Sequence, residues 1–159
     1  MTLLAIDPGR SKLLPSIGYA LFTDAGAEIE RGELTWDGLW QSLWLYAGRG
    51  SGLSFTLLGP LRHFSIKAVV IENFINNPKS RGGQTNGTSE VIGAVEFLCA
   101  QGDVPFTRQP NTVLPVAKLH AGYVDRRKHL PHQDAAYLHG YYYLVGKGVL
   151  VSKGLEATL

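Results

Sequence analysis

Two short apolar runs open the chain, TLLAID and IGYALFTD, separated by the Gly- and Pro-bearing loop PGRSKLLPS. This pattern predicts two strands. DAGA predicts a turn into a third strand, EIERGELTW, so that three consecutive strands form an antiparallel meander. DGLWQSLWLYA predicts a helix, broken at GRGSG and resuming through LSFTLLGPLRHF. KAVVIENFI is a β-branched run suited to a strand buried on both faces. After the polar loop NNPKSRGGQTNGT comes an amphipathic helix, SEVIGAVEFLCAQG, which Thr88 or Ser89 can cap and Gly102 can end. Its apolar positions Val91, Val95 and Leu98, with Ile92 and Cys99 beside them, form a broad stripe. A central core helix or a second buried surface such as a dimer interface would both explain it. VPFTRQ predicts a fifth strand, followed by the basic segment KLHAGYVDRRKHLPH and a last helix, QDAAYLHGYYYLV. The order is α/β, with a mixed sheet.

Composition narrows the classes. The 159 residues suit one domain spanning residues 1–159 with a full core, and 45% hydrophobic against 18% charged residues argues against disorder. The single cysteine, Cys99, excludes a disulfide framework and a cysteine-based zinc site and fits a reducing compartment. No signal peptide and no membrane-spanning run is read, so a cytoplasmic protein is expected. Net charge is only +2, so affinity for nucleic acid must come from local patches.

Three acids stand in apolar surroundings. Asp7 closes the first strand, Glu72 sits inside AVVIENFI, and Asp134 starts the last helix on the face of Leu138 and Tyr141. Each has an ordinary explanation: an Asx-turn at Asp7, a buried arginine beside Glu72, the helix dipole at Asp134. If the first and fourth strands adjoin, however, Asp7 and Glu72 lie together near the middle of the sheet. Carboxylates converging there repel one another unless cations share the site. Hard divalent cations take oxygen ligands, and such a site can hydrolyse phosphodiesters with two metals.

LLAIDPG followed by GYALF, then AVVIENF, then HQDAAYLHGYYYL resemble the RuvC-like Holliday-junction resolvases of the ribonuclease H-like superfamily. The size resembles the short, phage-type members. The resemblance covers the chain to about residue 146. It implies an α/β ribonuclease H-like fold with a five-stranded mixed sheet flanked by helices, the antiparallel meander preceding parallel strands. It also implies a homodimer, and symmetrical nicking of four-way DNA junctions with two Mg²⁺ or Mn²⁺ ions per active site, in a bacterial or phage-infected cell. By the same analogy Asp7, Glu72 and Asp134 are the metal-binding, catalytic carboxylates. Asp7 would bridge the two ions. The family usually places a fourth ligand three residues before the last acid. Pro131 stands there, and the nearest candidate is His132.

The insertion RSKLLPSI brings Arg10 and Lys12 near the site, where they can touch phosphate. Lys79 and Arg81 sit in an acid-free polar loop that can track a phosphate backbone or simply be solvated. Phe74 is either a core residue or a group that stacks at the open centre of a junction. Lys118, Arg126, Arg127 and Lys128 against Asp125 make the strongest positive patch. His139, off the face of Asp134, reads as a structural histidine or one that supports a ligand. His129 and His132 lack the soft partners of a zinc site, and Tyr141, Tyr142 and Tyr143 read as packing. The function expected from these residues and this resemblance is a metal-dependent, structure-selective endonuclease on branched DNA. The rivals are a nuclease on RNA–DNA hybrid or RNA, a catalytically silent branched-DNA-binding protein, and, weakest, an actin-like ATPase domain.

Overall fold

A computed structural model describes residues 2–9, 16–45, 52–57, 59, 61–73, 85–125, 127 and 129–156. Strands β1 (Thr2–Asp7), β2 (Ile17–Thr23) and β3 (Glu28–Leu34) form the expected meander, with Leu4 opposite Leu21 and Asp7 opposite Gly18. Strand β6 (Arg62–Asn73) lies parallel to β1 on its other side, with Ile6 opposite Ile71. The second edge of β6 is shared: its first half pairs antiparallel with β5 (Leu53–Leu57) and its second half parallel with β7 (Phe106–Pro110). β4 (Leu43–Leu45) extends the sheet beyond β5.

The path β3-β2-β1-β6-β7 keeps the order and directions of a ribonuclease H-like sheet. Among the described residues β4 and β5 raise the count from the expected five strands to seven. β4 takes up the later part of the expected helix DGLWQSLWLYA, and β5 with the start of β6 occupies the stretch where a helix was expected to resume. Leu53, Phe55 and Leu57 are buried at every second position, and that two-residue period makes a strand. Among the described residues between β3 and β6, only Trp36–Ser42 is helical (α1), with the Thr35 hydroxyl accepting from the Gly38 N–H at 3.0 Å.

The sheet carries two cores. On one face Leu4, Ile6, Leu21, Val69 and Ile71 pack with Val91, Ile92, Val95 and Cys99 of α2 (Thr85–Gln101). Each such burial stabilises by about 1.5–3 kcal/mol. The breadth of the α2 stripe is therefore taken up within one core, while Phe97 remains exposed. α2 begins before Thr88 and Ser89, so neither is its cap. Beyond its end the left-handed residue is Asp103 (φ 51°) rather than Gly102. On the opposite face Leu3, Ala5, Ala20, Phe22 and Val70 lie under Ala136 and Leu144 of α4 (His132–Gly146). Small residues let that helix come close: a Cβ at Gly140 would stand 2.3 Å from the Phe22 ring. α3 (Leu114–Ala121), which runs into the start of the segment read only as basic, packs Ala117 and Ala121 against Leu138 and Tyr141 of α4. No helix among the described residues is long and apolar enough to cross a membrane.

Candidate active site

Strand parity decides where the acids point. Leu3 and Ala5 of β1 and Val70 of β6 face α4, and two-residue alternation puts Asp7 and Glu72 on that same face. They stand one residue past the Ile6–Ile71 pair, at the C-terminal ends of adjacent parallel strands. A cleft of about 400 Å³ opens there, lined by Asp7, Glu72, Thr88, His129, His132 and Ala135 among others.

Asp7 is held at both oxygens. Oδ1 accepts from the Gly9 N–H at 3.0 Å, which is the Asx-turn, and Oδ2 lies 2.9 Å from Nδ1 of His132. The turn needs glycine at position 9, where φ is +62° and a Cβ would stand 1.9 Å from the Ser16 carbonyl oxygen. Thr88 fixes the far side of the turn by donating to the Gly9 carbonyl at 2.7 Å. The Asx-turn therefore takes up one oxygen of Asp7 and leaves the other facing His132.

His132 is the first residue of α4. Its backbone N–H donates to Glu33 Oε1 at 3.1 Å, so a β3 carboxylate serves the helix start, where Pro131 makes no side-chain cap. The hydrogen bond to Asp7 raises the pKa of its imidazole above the ordinary 6.5 against the opposing effect of burial, with the charges of Asp7, Glu33 and Glu72 adding to the rise.

Asp134 does not join this group. It is buried as expected, yet its carboxylate is bound elsewhere. Arg31 Nη1 of β3 lies 3.1 Å from Oδ1, and Arg127 Nη2 lies 2.9 Å from Oδ2. The Tyr123 hydroxyl also donates to Oδ2 at 2.7 Å. Burial, together with Asp134, pushes that Tyr123 phenol up to about 12. The expected convergence of three carboxylates is thus corrected to two. On a helix, positions 132 and 135 share a face, and that face looks into the cleft; position 134 looks away from it. The residue at 135 is alanine. Among the described residues no three His, Cys, Asp or Glu side chains stand as a group that could hold a metal ion.

Of the residues expected at DNA, Arg10, Lys12, Phe74, Lys79, Arg81, Arg126 and Lys128 lie outside the described residues. Lys118 is half-buried on α3. Arg127 is exposed, but its guanidinium is shared between Asp125 and Asp134, so the positive patch is partly neutralised there. Sequence reasoning missed Gly18, Glu33, Thr88 and Gln109. A Cβ at Gly18 would stand 2.0 Å from the His132 carbonyl oxygen, so glycine at that position lets the start of α4 lie on β2. The glycine before the tyrosine in GYALF was the available signal.

No family model matches the chain, and no curated protein matches it. Among solved structures it is similar to the Thermus thermophilus RuvC structure, at 11% identity and a TM-score of 0.44, covering 95% of this chain and 99% of that one. It is also similar to T. thermophilus RuvC in complex with Holliday junction substrate, at 12% identity and a TM-score of 0.47, covering 95% and 98%.

Proposed function

We propose that the chain is a divalent-cation-dependent endonuclease for branched DNA, four-way junctions above all. The observation that carries this reading is the pairing of Asp7 and Glu72 on one sheet face, under an α4 start that brings His132 to Asp7. Mg²⁺ binds through one or two carboxylates and leaves its other positions to water and phosphate oxygens, and Mn²⁺ also accepts imidazole. Asp7 and Glu72 fit one such ion, with His132 beside it. A second ion would need Asp134, whose oxygens are committed to Arg31 and Arg127, so the donors fit one ion and not two.

A cation bound there supplies Lewis acidity at a phosphodiester oxygen and lowers the pKa of a water. The chain's own residues do the rest. Gly9 and Thr88 hold the Asp7 loop against recoil. His132, sharing a proton at Nδ1 with Asp7, can give or take that proton near the scissile bond. Two copies of the chain would place two such sites on opposed strands of a junction.

One observation favours the silent branched-DNA-binding protein. The cleft-facing position one turn into α4 is Ala135, where an acid would complete a richer site. Incubating labelled four-way junction, linear duplex and RNA–DNA hybrid with the protein in Mg²⁺ or Mn²⁺ separates the readings. Paired nicks in the junction support the nuclease. Tight junction binding without nicks supports the silent binder, and cutting of the hybrid alone supports a ribonuclease.

Two further outcomes follow from the geometry. Asp134→Asn should lower stability by about 1–2 kcal/mol through its lost ion pairs, because the partner arginines are themselves part-exposed. It should leave Mn²⁺ affinity within about twofold by titration calorimetry, under the roughly 1.4 kcal/mol that makes a tenfold change. The second concerns pH. The protonated His132 opposes a cation, and its stabilising pair with Asp7 is full below about 6.5 and fades as pH rises through the raised folded value. Mn²⁺ affinity should therefore strengthen from about pH 6 to about pH 8, with a flatter profile in His132→Gln.

A further inference from the structure

Glu72 has a neighbour that the proposed chemistry leaves unused. His139, two turns along α4 from His132, is fully buried. Its Nδ1 lies 2.9 Å from Oε1 of Gln109, which is also buried, and its Nε2 lies 3.4 Å from Oε2 of Glu72. Gln109 of β7 in turn stands opposite Glu72 of β6. Three polar side chains from β6, β7 and α4 therefore form one buried line that ends on a cleft carboxylate.

A neutral imidazole has one N–H and one bare nitrogen. With the Gln109 oxygen toward Nδ1, the proton sits on Nδ1, and the bare Nε2 faces the carboxylate with no hydrogen-bond partner. Turning the Gln109 amide end for end places its NH₂ on Nδ1 and leaves the ring proton on Nε2, aimed at Glu72. The two ends of an amide are nearly equal in size, so the turn needs no repacking. That arrangement turns the Nε2 proton toward the Glu72 carboxylate 3.4 Å away, a gap that a small turn of the Glu72 side chain closes to hydrogen-bond length. A buried polar ring left half-satisfied would cost more than an apolar residue of the same shape.

We infer that His139, anchored by Gln109, is a positioning residue for Glu72, donating from Nε2 to its carboxylate and fixing the oxygen that Glu72 turns to a divalent cation in the cleft. The inference rests on the cation site proposed above. Glu72 reaches the cleft through three rotatable bonds, and an unanchored side chain must lose that freedom each time an ion binds. Outer partners of this kind are typically worth about 10–100-fold in metal affinity. His139 does not line the cleft, so it acts through Glu72 and not on DNA.

The test uses the full chain and Mn²⁺ alone, titrated by calorimetry, beside thermal melting of each variant. His139→Leu should weaken Mn²⁺ about tenfold or more. His139→Gln, whose amide can donate from near the Nε2 position, should recover most of that loss. Gln109→Leu should weaken Mn²⁺ by a smaller factor. Wild-type Mn²⁺ affinity in His139→Leu, whatever its melting temperature, would overturn the inference, as would His139→Gln binding no better than His139→Leu. Should His139→Leu fail to fold, Gln109→Leu decides: weakened Mn²⁺ supports the inference and unchanged Mn²⁺ overturns it. A wild-type chain that binds no Mn²⁺ removes the cation site and this inference together. Wild-type binding with unaffected variants removes the inference alone.

Discussion

Asp7→Asn should lose junction cleavage by about 10³-fold or more while the protein still folds and still binds the junction. The size follows from removing a group that acts at the reacting centre, where single losses run to about 10²–10⁴-fold. The fold survives because the substitution is divided between the two oxygens. Asparagine keeps the Oδ1 that accepts from the Gly9 N–H at 3.0 Å, so the Asx-turn and its Thr88 tether remain. What it loses is the charge at Oδ2, the oxygen that faces His132 and, in the proposed reading, the cation. Gel-shift binding, melting temperature and cleavage rate measured on one preparation check the three parts. Equal loss of binding and cleavage would mean that Asp7 supports the fold or the DNA surface instead of the reaction.

Gly18→Ala should cost about 3 kcal/mol or more, and should damage the site at the same time. The added Cβ would stand 2.0 Å from the His132 carbonyl oxygen, 2.1 Å from its carbon and 2.6 Å from the Gln133 nitrogen. All three are backbone atoms, so no side chain can swing away and the start of α4 must lift off β2. Overpacking in a tight core costs about 1–3 kcal/mol even where side chains can yield. For a chain of this size the melting temperature should fall by about 6 °C or more. His132 moves with the helix, so its hydrogen bond to Asp7 should break, and its raised pKa should relax toward the ordinary range. Gly93→Ala is the control: a Cβ there meets nothing within 4 Å, and the position lies inside α2, where alanine is the better helix former. It should melt at or slightly above the wild-type temperature.

These two residues also mark how much the chain disclosed in advance. The meander, the buried parallel strand and the neighbouring of Asp7 and Glu72 were legible because they follow from two-residue periodicity and from acids placed in apolar runs. The hairpin of β5 and β6 was not, since LSFTLLGPLRHF carries enough leucine to read as helix, and only its partners in the sheet reveal the alternation. Asp134 was legible as buried, but its partners were not. Helical spacing showed that it shares a face with Leu138 and Tyr141, but a partner from β3, Arg31, and another from the loop before α4, Arg127, are what occupy it. No local pattern announces such long-range pairs. Gln109 was hidden for the same reason, and His139, read in advance as structural or as supporting a ligand, gave no sign of its partners: thirty residues separate the two in sequence, and β7 and α4 bring them to Glu72.

The central claim is that Asp7 and Glu72 exist as a pair to hold a divalent cation. Crystals grown with Mn²⁺ and measured at a wavelength where manganese scatters anomalously test it most directly. The account predicts one anomalous peak in the cleft, about 2.0–2.6 Å from an oxygen of each carboxylate, with no second peak at Asp134. Ordered protein at saturating Mn²⁺ with no peak between Asp7 and Glu72 would contradict it.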